Sequence, residues 1–203
     1  MSKTRLTDQE IDAVAQQFAV EAKLLKAVSI VESGGNGFLS DGRLKILFER
    51  HYMRKRLLFR GIDPTPLSTF DPTLCNSKPG GYGKGGAKQW DRIQMILDWA
   101  NKHAPTQFES YKKAAYESSS WGAFQIMGAN YSSVGFENVY DLKHHLEVGN
   151  KEQLETICHW MESNGLLARL KAKDWAGFAL GYNGTNYKVN HYDTKLENAY
   201  RTA

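Results

Sequence analysis

Apolar residues recur at helical spacing along most of this chain, and that pattern constrains the fold more than any other feature. Near the start, Thr7 and Glu10 have the spacing of a capping box, which marks a helix N-terminus. The apolar stripe that follows consists of Ile11, Val14, Ala15 and Phe18. Further helices are predicted to end at Glu32, His103 and Asn164-Gly165, and to begin at Thr106, Asn150, Asp174 and Tyr192. The pattern therefore predicts a mainly helical chain.

One segment carries a convincing β signal. The dipeptide Asp41-Gly42 is typical of a hairpin turn and lies between two short extended pieces of GGNGFLSDGRLKILFE. Residues 61–86 are rich in proline and glycine, and we predict a loop there. Because the chain contains no internal repeat and no clean linker, we expect one mainly α (α+β) domain over residues 1–203.

The composition sets broad limits on function. With 203 residues, of which 41% are hydrophobic, the chain can bury one sizeable core. A net charge of +4 suits an acidic partner such as nucleic acid, anionic lipid or a cell-wall polymer, without choosing among them. Two cysteines, Cys75 and Cys158, imply no disulfide framework. The first residues lack the features of a signal peptide, and no apolar run is long enough for a membrane span, so we expect a soluble protein made in the cytosol.

The sequence motifs argue against a phosphate-binding loop, a metal site and a nucleic-acid interface. The stretch KPGGYGKGG resembles a phosphate-binding loop, but Lys78 stands where the first glycine is required and Gly85 where Ser or Thr is required. The histidines form no HExxH pair, so no metal site is expected. The basic residues 53–56 lack interleaved aromatic side chains, which favours a solvated helix surface over a nucleic-acid interface.

Glu32 is unusual because of where it lies in its predicted helix. The apolar stretch LLKAVSIVE ends on this carboxylate, and Ser33-Gly34-Gly35 then closes the helix. The C-terminus of a helix is its negative end and disfavours an ionised carboxylate. Glu32 is therefore either a solvated surface residue or a position that favours the protonated acid.

Two later segments mix aromatic rings with amide side chains. They are SSSWGAFQIMGANY, from Ser118 to Tyr131, and FALGYNGTNYKVNHY, from Phe178 to Tyr192. Aromatic faces can stack on sugar rings, and amides can bond hydroxyl and acetamido groups. The same composition also suits an aromatic-rich core with asparagines in turns.

The motifs together resemble a known family. The order ESGG, ILFERHY, SWGAFQIMG with NY, FALGYNG and KLENAY is similar to that of the phage N-acetylmuramidase family of endolysins. It is more distantly similar to goose-type lysozymes and soluble lytic transglycosylases. The resemblance spans residues 24–200 and implies a lysozyme-like two-lobed helical fold with a small β-hairpin after the catalytic-glutamate helix. It also implies cleavage of the β-1,4 bond between N-acetylmuramic acid and N-acetylglucosamine in peptidoglycan.

The resemblance also suggests roles for individual acids. A glycosidic oxygen leaves readily only when protonated, and Glu32 matches the position of the family's general acid. A second carboxylate is expected from Glu49 or Asp41, and Glu49 is favoured, to orient water or to stabilise the oxocarbenium-like state. Asp41 is also a natural turn residue, and Glu49 could instead pair with Arg50 or Arg43. Glu117 is a third candidate, or else a residue at the end of a helix.

Substrate contacts are expected from five further residues. Gln125, Tyr182 and Asn183 match motif positions that contact substrate, or could instead form hydrogen bonds between lobes. Trp121 and Tyr131 could line sugar subsites, although Trp121 could equally belong to the core. No cofactor is implied.

The family resemblance implies a biological setting as well. The expected partner is the peptidoglycan glycan strand, with no nucleic acid and no stable membrane insertion. We expect a monomeric catalytic domain without a separate wall-binding domain, which acts in the periplasm after a holin has opened the inner membrane. The alternatives are a lytic transglycosylase and a non-catalytic wall-binding or phage structural protein.

Overall fold

The computed structural model describes residues 5–32 and 35–203, and within them the chain is mainly helical with a small antiparallel sheet. The α-helices are α1 Asp8–Gln17, α2 Ala22–Glu32, α3 Arg50–Phe59, α4 Thr65–Phe70, α5 Ala87–His103, α6 Phe108–Glu117, α7 Val139–Val148, α8 Asn150–Ser163, α9 Leu166–Lys171, α10 Trp175–Asn183 and α11 Tyr192–Thr202. Short 3-10 helices lie at Pro105–Gln107, Gly128–Val134 and Gly184–Tyr187. The strands are β1 Ile46–Phe48, β2 Ser119–Trp121 and β3 Ile126–Met127.

Several predicted helix ends are confirmed. The capping box at Thr7 and Glu10 is present in both directions, and Asp174 caps α10 by accepting a 2.9 Å hydrogen bond from the backbone N–H of Gly177. The helix α2 ends at Glu32 as predicted. Ser33 and Gly34, which were expected to close it, lie outside the described residues.

Two predicted caps are wrong. Thr106 lies inside the 3-10 turn Pro105–Gln107, and α6 begins two residues later with no side-chain cap. Asn150 is the first residue of α8 and not its N-cap. Its Oδ1 instead accepts a 2.8 Å hydrogen bond from the backbone N–H of Gly37, a long-range contact that sequence spacing cannot indicate.

The sheet is larger than predicted. The hairpin at Asp41-Gly42 is present, but it contains a single bridge between Phe38 and Leu44. The strand β1 pairs antiparallel with β2, Leu47 opposite Ser120, and β2 pairs with β3, Trp121 opposite Ile126. The hairpin is therefore not the only β element. Strands of two and three residues carry too short a pattern to be recognised in sequence.

The predicted loop 61–86 contains a helix, and the predicted basic surface is partly buried. In α4, Pro66 lies in the first turn, where proline is tolerated, and Leu67 is buried. Arg56 of α3, expected to be solvated, pairs with the buried carboxylate of Glu117. No helix in the described ranges is both long and apolar enough to cross a bilayer.

Candidate active site

Glu32 lies at the C-terminal end of α2, against the last helix of the chain. It is half-buried, and the hydroxyl of Tyr192 in α11 donates a hydrogen bond to its Oε1. Burial raises the pKa of Glu32, and the hydrogen bond from Tyr192 offsets part of that rise. The negative end of the helix dipole acts in the same direction as burial. The position therefore favours a protonated carboxylic acid.

An aromatic wall stands behind Glu32, formed by Tyr192, Tyr182, Phe178 and Trp160. Tyr182 is nearly parallel to Tyr192, at 14° with ring centroids 5.8 Å apart, and to Phe178, at 21° and 5.4 Å. Trp160 meets Tyr182 edge-on at 5.7 Å. The hydroxyl of Tyr182 is buried without a hydrogen-bond partner, and burial followed by the charge of Glu32 raises its pKa.

A cavity of about 150 Å³ opens beside this wall. It is lined by residues 124–127 together with Asn130, Ile157, Trp160 and Tyr182. Of the predicted substrate contacts, the structure thus brings Gln125 and Tyr182 to one cavity. Asn183, the last residue of α10, directly follows Tyr182 and is exposed.

Gln125 is held in a conformation that non-glycine residues rarely adopt. Its φ is +50°, in the left-handed region, which disfavours a side chain by about 1–2 kcal/mol. Its Nε2 donates to the carbonyl of Gly122 at 2.8 Å, and the hydroxyl of Ser120 donates to its Oε1 at 3.0 Å. The turn between β2 and β3 therefore fixes the amide of Gln125 at the cavity.

The helix α8 supports both segments that approach the cavity. The buried side chain of Gln153 accepts from the backbone N–H of Ala123 at 2.7 Å and donates to the carbonyl of Leu146 at 3.0 Å. A Cβ on Gly37 would lie 2.5 Å from the nitrogen of Ala123 and 2.7 Å from Cδ of Gln153. Only glycine therefore fits where the segment after Glu32 crosses this turn.

Glu49 is the N-cap residue of α3, but its side chain makes no capping hydrogen bond. Its Oε2 lies 3.2 Å from Nδ1 of His51, yet neither atom has an aligned hydrogen-bond partner and both are buried. A helix N-terminus attracts negative charge. Most buried carboxylate oxygens accept a hydrogen bond, so this oxygen of Glu49 is exceptional.

Asp41 is placed very differently. It is exposed, and Arg43 binds both of its oxygens, through the backbone N–H at 3.0 Å, Nε at 2.9 Å and a terminal nitrogen at 2.6 Å. These hydrogen bonds from Arg43 lower the pKa of Asp41. Its oxygens are thus occupied in organising the hairpin turn.

Trp121 and Glu117 do not face the cavity. Trp121 is 1% exposed, packs edge-on against Trp90 and Tyr116, and donates its ring N–H to the carbonyl of Tyr116 at 3.0 Å. Trp121 therefore occupies a core position, the alternative that the sequence left open for it. Glu117 is 3% exposed, and its two carboxylate oxygens are occupied by ion pairs with Arg56 and Arg60.

Two further tyrosines lie near the site: Tyr131, which the sequence predicted as a substrate contact, and Tyr192, which it did not. Tyr131 is half-buried in the 3-10 helix Gly128–Val134, next to the cavity residue Asn130. Tyr192 was missed as a site residue, although it closes the aromatic and amide-rich segment 178–192. The aromatic and amide enrichment of this segment was the available sequence signal for Tyr192. Its contact with Glu32, however, depends on how α11 packs on α2.

Comparison with known proteins identifies the family of this chain and agrees with its fold. The family model for N-acetylmuramidase matches residues 21–203. The crystal structure of a Burkholderia AP3 phage endolysin is similar, with a TM-score of 0.85 and 37% sequence identity over 100% of this chain and 72% of that one. No match was found among curated proteins. The chain therefore belongs to the N-acetylmuramidase family and is a peptidoglycan-degrading glycoside hydrolase of lysozyme-like fold.

Proposed function

We propose that this protein hydrolyses the β-1,4 bond between N-acetylmuramic acid and N-acetylglucosamine, with Glu32 as the general acid. The observation that carries the proposal is the half-buried carboxyl of Glu32 at a helix C-terminus, with its pKa raised by burial. Proton transfer to the glycosidic oxygen makes that oxygen a good leaving group. The sugar then passes through an oxocarbenium-like state, which negative charge stabilises.

We assign the second carboxylate to Glu49 in preference to Asp41. One oxygen of Glu49 is unpartnered, whereas Arg43 occupies both oxygens of Asp41. Glu49 immediately follows β1, and β1 pairs with β2, which leads into the turn that carries Gln125. The role proposed for Glu49 is to orient the attacking water or to stabilise the oxocarbenium-like state.

The cavity residues suggest how a glycan would be held. Gln125 and Tyr182 line the cavity, and Asn183 is exposed beside the wall, so all three are proposed to contact sugar near the cleaved bond. Gln125 offers an amide fixed by Ser120 and Gly122, which requires no reorganisation when substrate binds. Tyr131 is proposed to contribute further along the strand.

The proposed biological role is host-cell lysis by a phage endolysin. Family membership and similarity to a phage endolysin support it. The enzyme would act as a monomer on peptidoglycan in the periplasm and would depend on a holin to reach it.

The test is mass spectrometry of soluble muropeptides released from purified peptidoglycan. Wild type should release fragments with reducing-end muramic acid, and Glu32→Gln should release none while still binding the wall. Glu21→Gln is the matched control, because a tyrosine hydroxyl, that of Tyr200, also bonds Glu21 at 2.8 Å, but Glu21 is exposed. It should behave as wild type.

Other outcomes would redirect the proposal. Anhydromuramic ends would identify a lytic transglycosylase, in which the C6 hydroxyl of muramic acid replaces water. Release by Glu32→Gln at the wild-type rate would remove Glu32 as the acid. Glu49→Gln is expected to lose most turnover and Asp41→Asn little; the reverse order would exchange the roles of these two carboxylates.

A further inference from the structure

The outer face of helix α3 combines a cation with two large apolar side chains. Met53 and Leu57 are fully buried and mark the side of α3 that packs on the core. Because successive residues of a helix are about 100° apart, Lys55 lies on the opposite side, between Leu58 and Phe59. Lys55 is exposed, and Phe59 and Leu58 are 77% and 49% exposed. We call Lys55, Leu58 and Phe59 the α3 patch.

The ring of Phe59 is held at the surface by a neighbouring cation. The guanidinium of Arg56 lies over this ring, 4.9 Å from its centroid, and Arg56 is itself fixed by its ion pair with Glu117. Burying a phenylalanine side chain is favourable, and Phe59 does not gain that free energy within its own fold. A partner that covers the ring would supply it.

The charge around the α3 patch is positive. Residues 49–63 contain five cations, and their two acidic residues stand at the ends of the segment. Two of the cations, Arg56 and Arg60, share the single carboxylate of Glu117, so this pairing leaves one positive charge uncompensated. Lys55 adds another at the centre of the exposed face. The chemistry of the surface therefore favours a partner that is negatively charged.

The apolar members of the patch distinguish among negatively charged partners. A dissolved polyanion is bound through its charges and gains little from contact with Leu58. An anionic bilayer offers phosphate groups to Lys55 and an apolar boundary to Leu58 and Phe59 in one surface. A second copy of the chain would bring two cationic faces together, which like-charge repulsion disfavours.

We propose that the α3 patch docks the protein on a membrane surface rich in anionic phospholipid. Phe59 and Leu58 enter the headgroup boundary, and Lys55 contacts lipid phosphate. This binding is adsorption at the interface and not insertion across the bilayer. It goes beyond the hydrolytic function and holds with either assignment of the second carboxylate.

Cosedimentation of the full chain with vesicles tests the proposal. Vesicles of phosphatidylethanolamine with phosphatidylglycerol should bind the protein, and vesicles of phosphatidylcholine should bind it far more weakly. Phe59→Ser is expected to weaken binding to the anionic vesicles about tenfold, because the burial of one ring is lost. Lys55→Gln is expected to weaken it about fivefold at low ionic strength and less at high ionic strength. Both variants should hydrolyse purified peptidoglycan at the wild-type rate, because neither residue lines the cavity beside Glu32.

Two variants in other helices provide matched controls. Val148→Ser also removes an exposed apolar side chain, since Val148 is 66% exposed, but Val148 follows an acidic residue, Glu147. Lys171→Gln removes an exposed lysine of α9. Both controls should bind the anionic vesicles as wild type does.

Four results would overturn the proposal. Equal binding to both kinds of vesicle, or binding to neither, would remove the anionic membrane as the partner. Undiminished binding of Phe59→Ser to the anionic vesicles would show that the α3 patch is not the contact. A wild-type dimer that Phe59→Ser converts to a monomer, as measured by light scattering, would assign the patch to a second copy of the chain. Slower hydrolysis of purified peptidoglycan by Phe59→Ser would assign it to the glycan strand, and none of these results would affect the role of Glu32.

Discussion

Replacing Glu117 with glutamine removes the one carboxylate that Arg56 and Arg60 share. The Glu117 side chain is 4% exposed, and a terminal nitrogen of Arg60 donates to its Oε1 at 2.6 Å while Nε of Arg56 donates to its Oε2. The pair of arginines joins α3 to the end of α6. The variant leaves two guanidinium groups without a counter-charge, although a glutamine oxygen can still accept one hydrogen bond.

The size of the effect follows from the burial of the three groups. Removing one partner of a buried ion pair destabilises a protein by about 3–5 kcal/mol. The arginine side chains are 21% and 16% exposed and can regain some water, which favours the lower end of that range. For a chain of this length, about 3 kcal/mol corresponds to a fall in Tm of about 6–12 °C.

Thermal unfolding followed by circular dichroism measures this fall in Tm. Glu197→Gln provides the matched control, because Arg201 bonds Glu197 at the same 2.6 Å but both side chains are exposed. A surface pair contributes only about 0–1 kcal/mol. Turnover at 25 °C should be close to wild type in both variants. Lost turnover with an unchanged Tm in Glu117→Gln would refute the argument and return Glu117 to the catalytic site.

Two further predictions concern titrating groups. Tyr192→Phe removes the hydrogen bond that partly offsets the effect of burial on Glu32, so the pKa of Glu32 rises further. Because the general acid must be protonated, the alkaline limb of the kcat–pH profile moves to higher pH; an unmoved limb would contradict this. Burial raises the pKa of Cys75 to about 11, so iodoacetamide at about pH 8 should label it rapidly only in urea, as measured by mass spectrometry. Equally fast labelling of the folded protein would contradict its burial.

The sequence predicted the helical class and placed Glu32 at the end of its helix, because helix periodicity and caps are local patterns. Interpretation was harder where a residue type suits two environments. Trp121 stands in a segment whose composition suits sugar binding, but it is buried against Trp90, more than 30 positions earlier. The partners of Glu117 lie 57 and 61 residues away, so spacing could not indicate its ion pairs.

The buried amide side chains of α8 couple the two segments that approach the cavity. Asn150 bonds Gly37 in the segment that follows Glu32, and Gln153 bonds Ala123 at the start of the turn that carries Gln125. The two segments are separated by more than 80 residues in the chain, yet both are fastened to the first turn of one helix. We therefore expect the two segments to move together, because displacing either one would break a buried hydrogen bond to the first turn of α8.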